Sequence, residues 1–452
     1  MRSDYKGEQK VDLIIEGGII ATADEKSKIM SKDKVIVVDK TYIIYIGIKT
    51  EAIKLYNSTN VVDVTEKLVL PGLVNSHTHT PMNLFRGVAD DLALKEWLYD
   101  YVFPMEAKYI NKENVQLGAK LAFIEMIKSG TTTFNDMYYF MDDVAEISEN
   151  IGIRAVLAEG LIGFPVPNSP TSDDGLRYTE ELIKKYKNND LVNIAVGAHA
   201  PYTCSPELLK KSKALADKYN VPYHIHVAET AWEVGEITEK YGKSPVEWME
   251  SIGVLSNNVI AAHSVHLTDK EIDIFAKRGV GVAHNPQCNM KLSSGGAPIM
   301  KMLNAGVKVG LGTDGVVSNN DLDMFTEMKT ASILHKHISG DPTATRAKSI
   351  FEMSTLGSAK VLGMDDKIGS LEVGKKADII IVDLHKPHLT PLYNLYSQIV
   401  FAMKGSDVES VIINGEFIMK NRRMMTIDED QVMHDVNDFA HEIKAMKKYK
   451  LD

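Results

Sequence analysis

Between residues 68 and 312 the chain alternates short apolar runs, rich in Val, Ile and Ala, with longer stretches whose apolar residues recur at helical spacing. The apolar runs fall at 68–74, 131–135, 154–159, 192–198, 223–227, 259–262, 279–283 and 307–312. Helical patterns lie between them, at 115–128, 142–150, 180–187, 206–219, 244–251, 268–278 and 298–304. A helix between two strands carries the chain back to the starting edge, so successive strands run parallel. Eight such units predict an α/β fold, a (β/α)8 TIM-type barrel. The C-terminal ends of its strands share one rim, where such barrels keep their chemistry.

The flanks have a different texture. Residues 11–65 hold short β-rich runs separated by Gly, Asp and Lys turns, and β runs return at 377–383 and 408–414, followed by the hairpin signal Asn414-Gly415. These segments, 1–67 and 370–427, are expected to form one small β-sandwich domain, with the barrel at 68–369 inserted between them. A C-terminal helix is expected over 428–452, where Val432, Val436, Phe439, Ala440, Ile443 and Met446 recur at helical spacing. With 44% apolar and 25% charged residues the chain can bury a large core. A net charge of -10 without a basic stripe argues against nucleic-acid or anionic-membrane partners. Two cysteines, Cys204 and Cys288, exclude a disulfide framework and an all-cysteine metal site. Residues 1–10 lack a signal-peptide core and no apolar run is long enough for a membrane span, so the expected compartment is the cytoplasm.

The strand ends are uneven in composition. Pro71-Gly-Leu-Val-Asn-Ser-His-Thr-His79 sets His77 and His79 two apart, hence on one face of a strand. Two neutral imidazoles make half of a transition-metal site, although His-x-His alone reads equally well as two polar residues at a strand end. The other ends carry His199, His224-Ile-His226-Val-Ala-Glu229, His263, His284-Asn-Pro and Thr313-Asp314-Gly. Each has a dull explanation singly. Six strands ending in His or Asp, in a chain of only 14 histidines, point to a common centre.

These motifs, with the late Gly369-Ser-Leu-Glu-Val-Gly-Lys-Lys-Ala-Asp378, resemble the amidohydrolase superfamily in its single-metal branch. The resemblance implies His77, His79, His226 and Asp314 as metal ligands and Glu229, His263 and Asp314 as catalytic groups. It implies one divalent metal ion, zinc, with iron(II) the alternative, because ligand sets overlap. The two-metal branch carries a modified lysine where this fourth strand ends in His199. Three neutral imidazoles leave a dication largely uncompensated, so a water on it loses its proton near neutral pH. Asp314 would accept that proton, His263 would align the nucleophile, and Glu229 would protonate a ring nitrogen of the substrate.

Within the superfamily the chain is most similar to deaminases of 5'-methylthioadenosine and S-adenosylhomocysteine, through Leu94-Lys-Glu-Trp97 and Phe103-Pro-Met-Glu106. That resemblance implies hydrolysis of a 6-aminopurine nucleoside to its inosine analogue and ammonia. Trp97 would line the nucleoside pocket, Glu106 accept from the ribose hydroxyls, and His199 meet the sugar or purine edge. Ser318 would reach a purine nitrogen, and Arg177 the 5' side. A second family arginine stands here as Glu159, which shifts the expectation from S-adenosylhomocysteine toward 5'-methylthioadenosine, adenosine or 5'-deoxyadenosine. His224 reads as barrel interior, His284 and Asn289 as pocket wall or the packing behind it, and neither cysteine as a nucleophile. The alternative is a guanine deaminase or triazine hydrolase, whose substrates give Glu106 no ribose to hold. Homo-oligomerisation is left open.

Overall fold

Gly72 is where the chain passes from one sheet into another. The strand Lys67–Pro71 pairs antiparallel with Ile379–Asp383, whereas Leu73–Thr78 pairs parallel with Thr131–Tyr138. A Cβ on Gly72 would sit 2.0 Å from Thr132 Oγ1, so no side chain fits at the crossing. The apolar run at 68–74 is therefore two strands in two sheets, not one. Periodicity hides the break because both halves are buried on both faces.

The computed structural model describes residues 5–445. Its barrel consists of β1 (Leu73–Thr78), β2 (Thr131–Tyr138), β3 (Arg154–Leu161), β4 (Val192–Ala198), β5 (Tyr223–Val227), β6 (Val259–His263), β7 (Gly281–His284) and β8 (Lys308–Leu311). They pair in sequence order and in parallel. The ring closes where Ser76 Oγ donates to the Leu311 carbonyl (2.8 Å) and the Thr313 and Asp314 amides donate to the His77 carbonyl (3.1 and 3.0 Å). That closure brings the ends of β1 and β8 together. The returning helices start on good caps: Thr171, Ser205, Thr230, Ser244 and Thr268 each accept an amide N–H three residues on.

The flanking segments form two facing sheets. One has seven strands, running from Arg423–Met424 through Val408–Ile413, Ile379–Asp383 and Lys67–Pro71 to Ile29–Met30; the other has four, built on Leu13–Glu16 and Lys34–Asp39. Leu13, Ile15, Ile36 and Val38 pack against Val69, Ile379, Ile381 and Ile412 between them. Arg154, at the start of β3, bonds Asp378 with Nε and Nη2 (2.8 and 3.0 Å), and both side chains are buried. The late Asp378 motif thus ties sandwich to barrel. The C-terminal helix spans Glu429–Ala445 and sets Phe439 against Phe85 and Tyr109. Its expected continuation through Met446, and residues 1–4 of the N-terminal segment, lie outside the described residues. No helix among the described residues is long and apolar enough to cross a membrane.

Candidate active site

His77 and His79 leave the end of β1, His226 is on β5, His263 ends β6 and Asp314 follows β8. The ligand-capable atoms of His77, His79 and His226 lie within 4.8 Å of one another, as do those of His77, His263 and Asp314. Asp314 Oδ1 is 3.3 Å from His77 Nε2 and 3.1 Å from His79 Nε2, and the Nε2 atoms of His226 and His79 are 3.4 Å apart. Ala228, His263, Ser264 and Asp314 all have left-handed backbone, with φ of 51°, 69°, 51° and 61°. Such strain in non-glycine residues persists where surrounding contacts enforce it, and it clusters at functional sites.

The ring orientations suit a cation. His79 Nδ1 donates to the Met137 carbonyl and His226 Nδ1 to the His199 carbonyl, both at 2.6 Å, so each Nε2 turns a lone pair inward. His77 Nδ1 is 2.9 Å from His224 Nε2; with its proton there, His77 also presents Nε2, which is fully buried and faces Asp314 Oδ1 at 3.3 Å. Burial lowers His77 to about 4 and His226 well below the ordinary histidine range, keeping both neutral, as ligands must be. Burial lowers His79 too, but Asp314 reverses the sign and lifts it to about 9. Burial opposes ionisation of Asp314, yet its bonds to His77 and His79 hold it well below the usual carboxylate range. The centre attracts positive charge, and its three imidazoles and one carboxylate fit a divalent cation.

Glu229 and His263 face this centre, with Glu229 Oε2 3.7 Å from His263 Nε2. His263 Nδ1 is held by Asn289 Oδ1 at 2.9 Å, which leaves Nε2 toward the site. Glu229 is buried and its pKa is raised, by burial first and then by the charge of Asp314. A cleft opens from here, lined by His79, His226, Glu229, His263 and Asp314 at the centre and by apolar and aromatic side chains around it. Trp97 lines it from a π-helical turn, Trp97–Val102, with a buried Nε1 that has no partner. Glu106 lines it from the helix Phe103–Tyr109, 3.4 Å from the Tyr139 hydroxyl, and burial lifts it to about 7. His199 lines it at the end of β4, lowered by burial to about 3 and bonded through Nδ1 to Thr203 (2.8 Å). Phe103 packs edge-on against Phe164 at 5.1 Å and against Tyr99 at 5.4 Å, forming an aromatic lip.

Two expected substrate contacts do not reach the cleft. Arg177 is on the helix Ser172–Tyr186, whose barrel-facing residues are Gly175, Thr179, Leu182 and Ile183; it points to solvent, its side chain 69% exposed, and pairs with Asp174. Ser318 lies one turn beyond Asp314 and folds back, so its hydroxyl donates to Asp314 Oδ2 (3.0 Å) and not into the cleft. Glu159 is buried behind the wall. It accepts from Asn168 Nδ2 (2.8 Å) and the Met141 amide (3.2 Å), and burial lifts it to about 8.

Other groups at the rim were not foreseen. Glu233 accepts the amides of Ala228 (2.9 Å) and Glu229 (2.8 Å), bracing the strained turn that presents Glu229. The signal for it was Thr230-Ala-Trp-Glu233, a capping-box spacing directly after Glu229. Asp136, buried at the end of β2, accepts the Thr80 amide (3.1 Å) and fixes the turn after His79. Cys288 donates its thiol to Asp314 Oδ2 (2.8 Å), and burial pushes that thiol well up. No spacing announced Asp136 or Cys288, because both reach the site through tertiary closure.

Comparison with known proteins agrees with this architecture. The amidohydrolase family model matches residues 68–418. A 5-methylthioadenosine/S-adenosylhomocysteine deaminase of Thermodesulfovibrio yellowstonii is 45% identical over 422 residues, covering 93% of this chain and 96% of that protein. A 5'-deoxyadenosine deaminase of Methanothermobacter thermautotrophicus is 47% identical over 379 residues, 83% of this chain and 88% of that one. The solved structure of an adenosine deaminase from Xanthomonas campestris with bound zinc superposes with a TM-score of 0.95 at 36% identity, over 97% of this chain and all of that one. With a family match spanning the whole barrel and relatives this similar over most of its length, the chain belongs to the amidohydrolase family.

Proposed function

We propose that the protein hydrolytically deaminates a 6-aminopurine nucleoside, with one divalent cation, zinc by its ligand set, held by His77, His79, His226 and Asp314. The observation that carries this reading is a single cleft lined by two chemically distinct groups of side chains. One comprises the imidazoles, Asp314, Glu229 and His263; the other is the buried carboxyl of Glu106 beside Tyr139. A cation in the first set would make a water acidic enough to attack C6 near neutral pH. Asp314 Oδ2 and His263 Nε2, 3.9 Å apart, would be the groups that accept and steer a proton from a water there. Glu229, which burial helps to keep protonated, delivers a proton to the adjacent ring nitrogen and then to the departing ammonia. Glu106 takes the ribose hydroxyls, since a carboxylate offers two acceptors to a vicinal diol. Trp97 covers the purine.

The 5' substituent is best served by an uncharged group. Leu98, Val102, Phe103, Ile162 and Leu292 line the cleft, which has no Lys or Arg in its wall among the described residues. The amino-acid end of S-adenosylhomocysteine would lose water there without gaining a cation. This favours 5'-deoxyadenosine, named for one relative, and 5'-methylthioadenosine, named together with S-adenosylhomocysteine for the other. A free base or triazine leaves the buried Glu106 without a diol. Two free, buried cysteines suit work in the reducing cytoplasm. The test is an ammonia-release assay on the zinc-loaded protein with adenosine analogues that differ at the 5' position. The expected order places 5'-deoxyadenosine and 5'-methylthioadenosine first; S-adenosylhomocysteine on top would overturn the 5' assignment, and no ammonia from any analogue would overturn the deaminase reading.

A further inference from the structure

Of the two cysteines in the chain, Cys204 is occupied elsewhere, its thiol donating to the Leu161 carbonyl (3.3 Å), while Cys288 reaches the rim. Donor atoms of Cys288, Glu229 and His263 lie within 4.8 Å of one another, and all three side chains are buried. A fourth donor is beside them: Asp314 Oδ2, 2.8 Å from Cys288 Sγ and 3.9 Å from His263 Nε2. The outward atoms are already occupied, His263 Nδ1 by Asn289 and Glu229 Oε1 by Ser294 (3.5 Å), so His263 Nε2 and Glu229 Oε2 are left toward the cluster, while Asp314 Oδ2 also accepts from the Ser318 hydroxyl (3.0 Å). His77 and His79 approach the other oxygen, Oδ1, and His263 keeps a donor atom within 4.8 Å of those of His77 and Asp314, so the cluster adjoins the first set.

We infer that Glu229, His263 and Cys288, sharing Asp314 through Oδ2, form a second cation site that inhibits the enzyme when filled. It rests on the reading that the first set holds the catalytic cation. One imidazole, one thiolate and carboxylate oxygens select zinc or cadmium over magnesium or calcium, which take oxygen alone. A carboxylate with one oxygen on each ion is the usual bridge of a two-metal centre. Filling the site releases the Cys288 thiol proton to solvent and engages Glu229 and His263, the two groups assigned to proton handling. Turnover stops for want of both. The second ion also enters beside a first dication, whose repulsion makes its binding the weaker of the two.

The experiment titrates cadmium into holoenzyme carrying one equivalent of zinc. The expected result is one further equivalent bound, a thiolate-to-cadmium charge-transfer band in the near ultraviolet, and loss of ammonia release that a mild chelator reverses. With only two sulfhydryls in the chain the band is assignable: Cys204→Ser retains it, and Cys288→Ser loses both the band and the second equivalent. Wild-type protein that binds no second equivalent, or a band lost in Cys204→Ser, overturns the inference; these two titrations decide the matter even if Cys288→Ser does not fold. A one-equivalent protein that binds cadmium as described but never releases ammonia overturns the deaminase reading and leaves this site standing.

Discussion

Glu106 gives the sharpest test of the substrate assignment. Burial lifts its carboxyl from an ordinary 4.5 to about 7, so ionising it in the empty cleft costs about 3 kcal/mol more than in water. A vicinal diol that donates to both oxygens supplies two hydrogen bonds to a charged group, about 1.5–3 kcal/mol each, enough to offset that cost. Glu106→Gln keeps one acceptor oxygen and turns an NH2 toward the other hydroxyl. The expected loss is about 2–3 kcal/mol, or roughly 30- to 150-fold in kcat/KM for 5'-deoxyadenosine. The assay is a double-mutant cycle on the zinc-loaded protein, crossing wild type and Glu106→Gln with 5'-deoxyadenosine and its 2',3'-dideoxy analogue. The dideoxy analogue should lose about as much with the wild type, and the variant should lose little further. The carboxylate is the form that accepts, so wild-type kcat/KM for the diol substrate should fall as pH drops below about 7, and Glu106→Gln should lack that limb. Equal, additive losses with both substrates would refute the ribose contact and leave Glu106 a packing partner of Tyr139.

Three further outcomes follow from buried groups. Glu233→Gln leaves one of the amides of Ala228 and Glu229 without its acceptor, a loss of about 1–3 kcal/mol; steady-state kinetics should show kcat reduced roughly 10- to 100-fold with KM and metal content little changed, and a rise confined to KM would contradict the bracing role. Arg154→Met removes both guanidinium bonds from buried Asp378 and should cost roughly 3–5 kcal/mol in urea unfolding; a loss under about 1 kcal/mol would show that barrel and sandwich are held mainly by apolar packing. Burial lifts Glu159 from 4.5 to about 8, so folding favours its protonated form: that contribution is intact below the unfolded value and is lost as pH rises through the folded one. The Tm of wild type minus that of Glu159→Gln should therefore fall as pH rises from about 5 to about 9, and a constant difference would contradict the assignment.

The same physics made part of this molecule legible and hid the rest. Parallel strands buried on both faces read as unbroken apolar runs, which exposed the eight-strand order and concealed the sheet change at Gly72. His77 and His79 were legible because a strand has a period of two, and the barrel then carries His226, His263 and Asp314 to the same rim from up to 237 residues away in the chain. Groups borne on helices and loops have no such guide. Arg177 and Glu106 are both charged residues in the first two turns of a helix, and nothing local separates them. The first faces solvent beside Asp174, while the second is covered by the end of β2 through Tyr139. Ser318 turns back to Asp314 from four residues on, and Cys288 reaches it from the helix Pro286–Lys291 after β7, the strand paired with β8. Sequence rules fail where a site imposes its own demands, and the burial of Glu106 is such a case: an acid on a helix, covered, with the Tyr139 hydroxyl 3.4 Å away. Folding alone gives no reason to hold a carboxyl there at a cost of about 3 kcal/mol, whereas a ligand with two adjacent hydroxyls does.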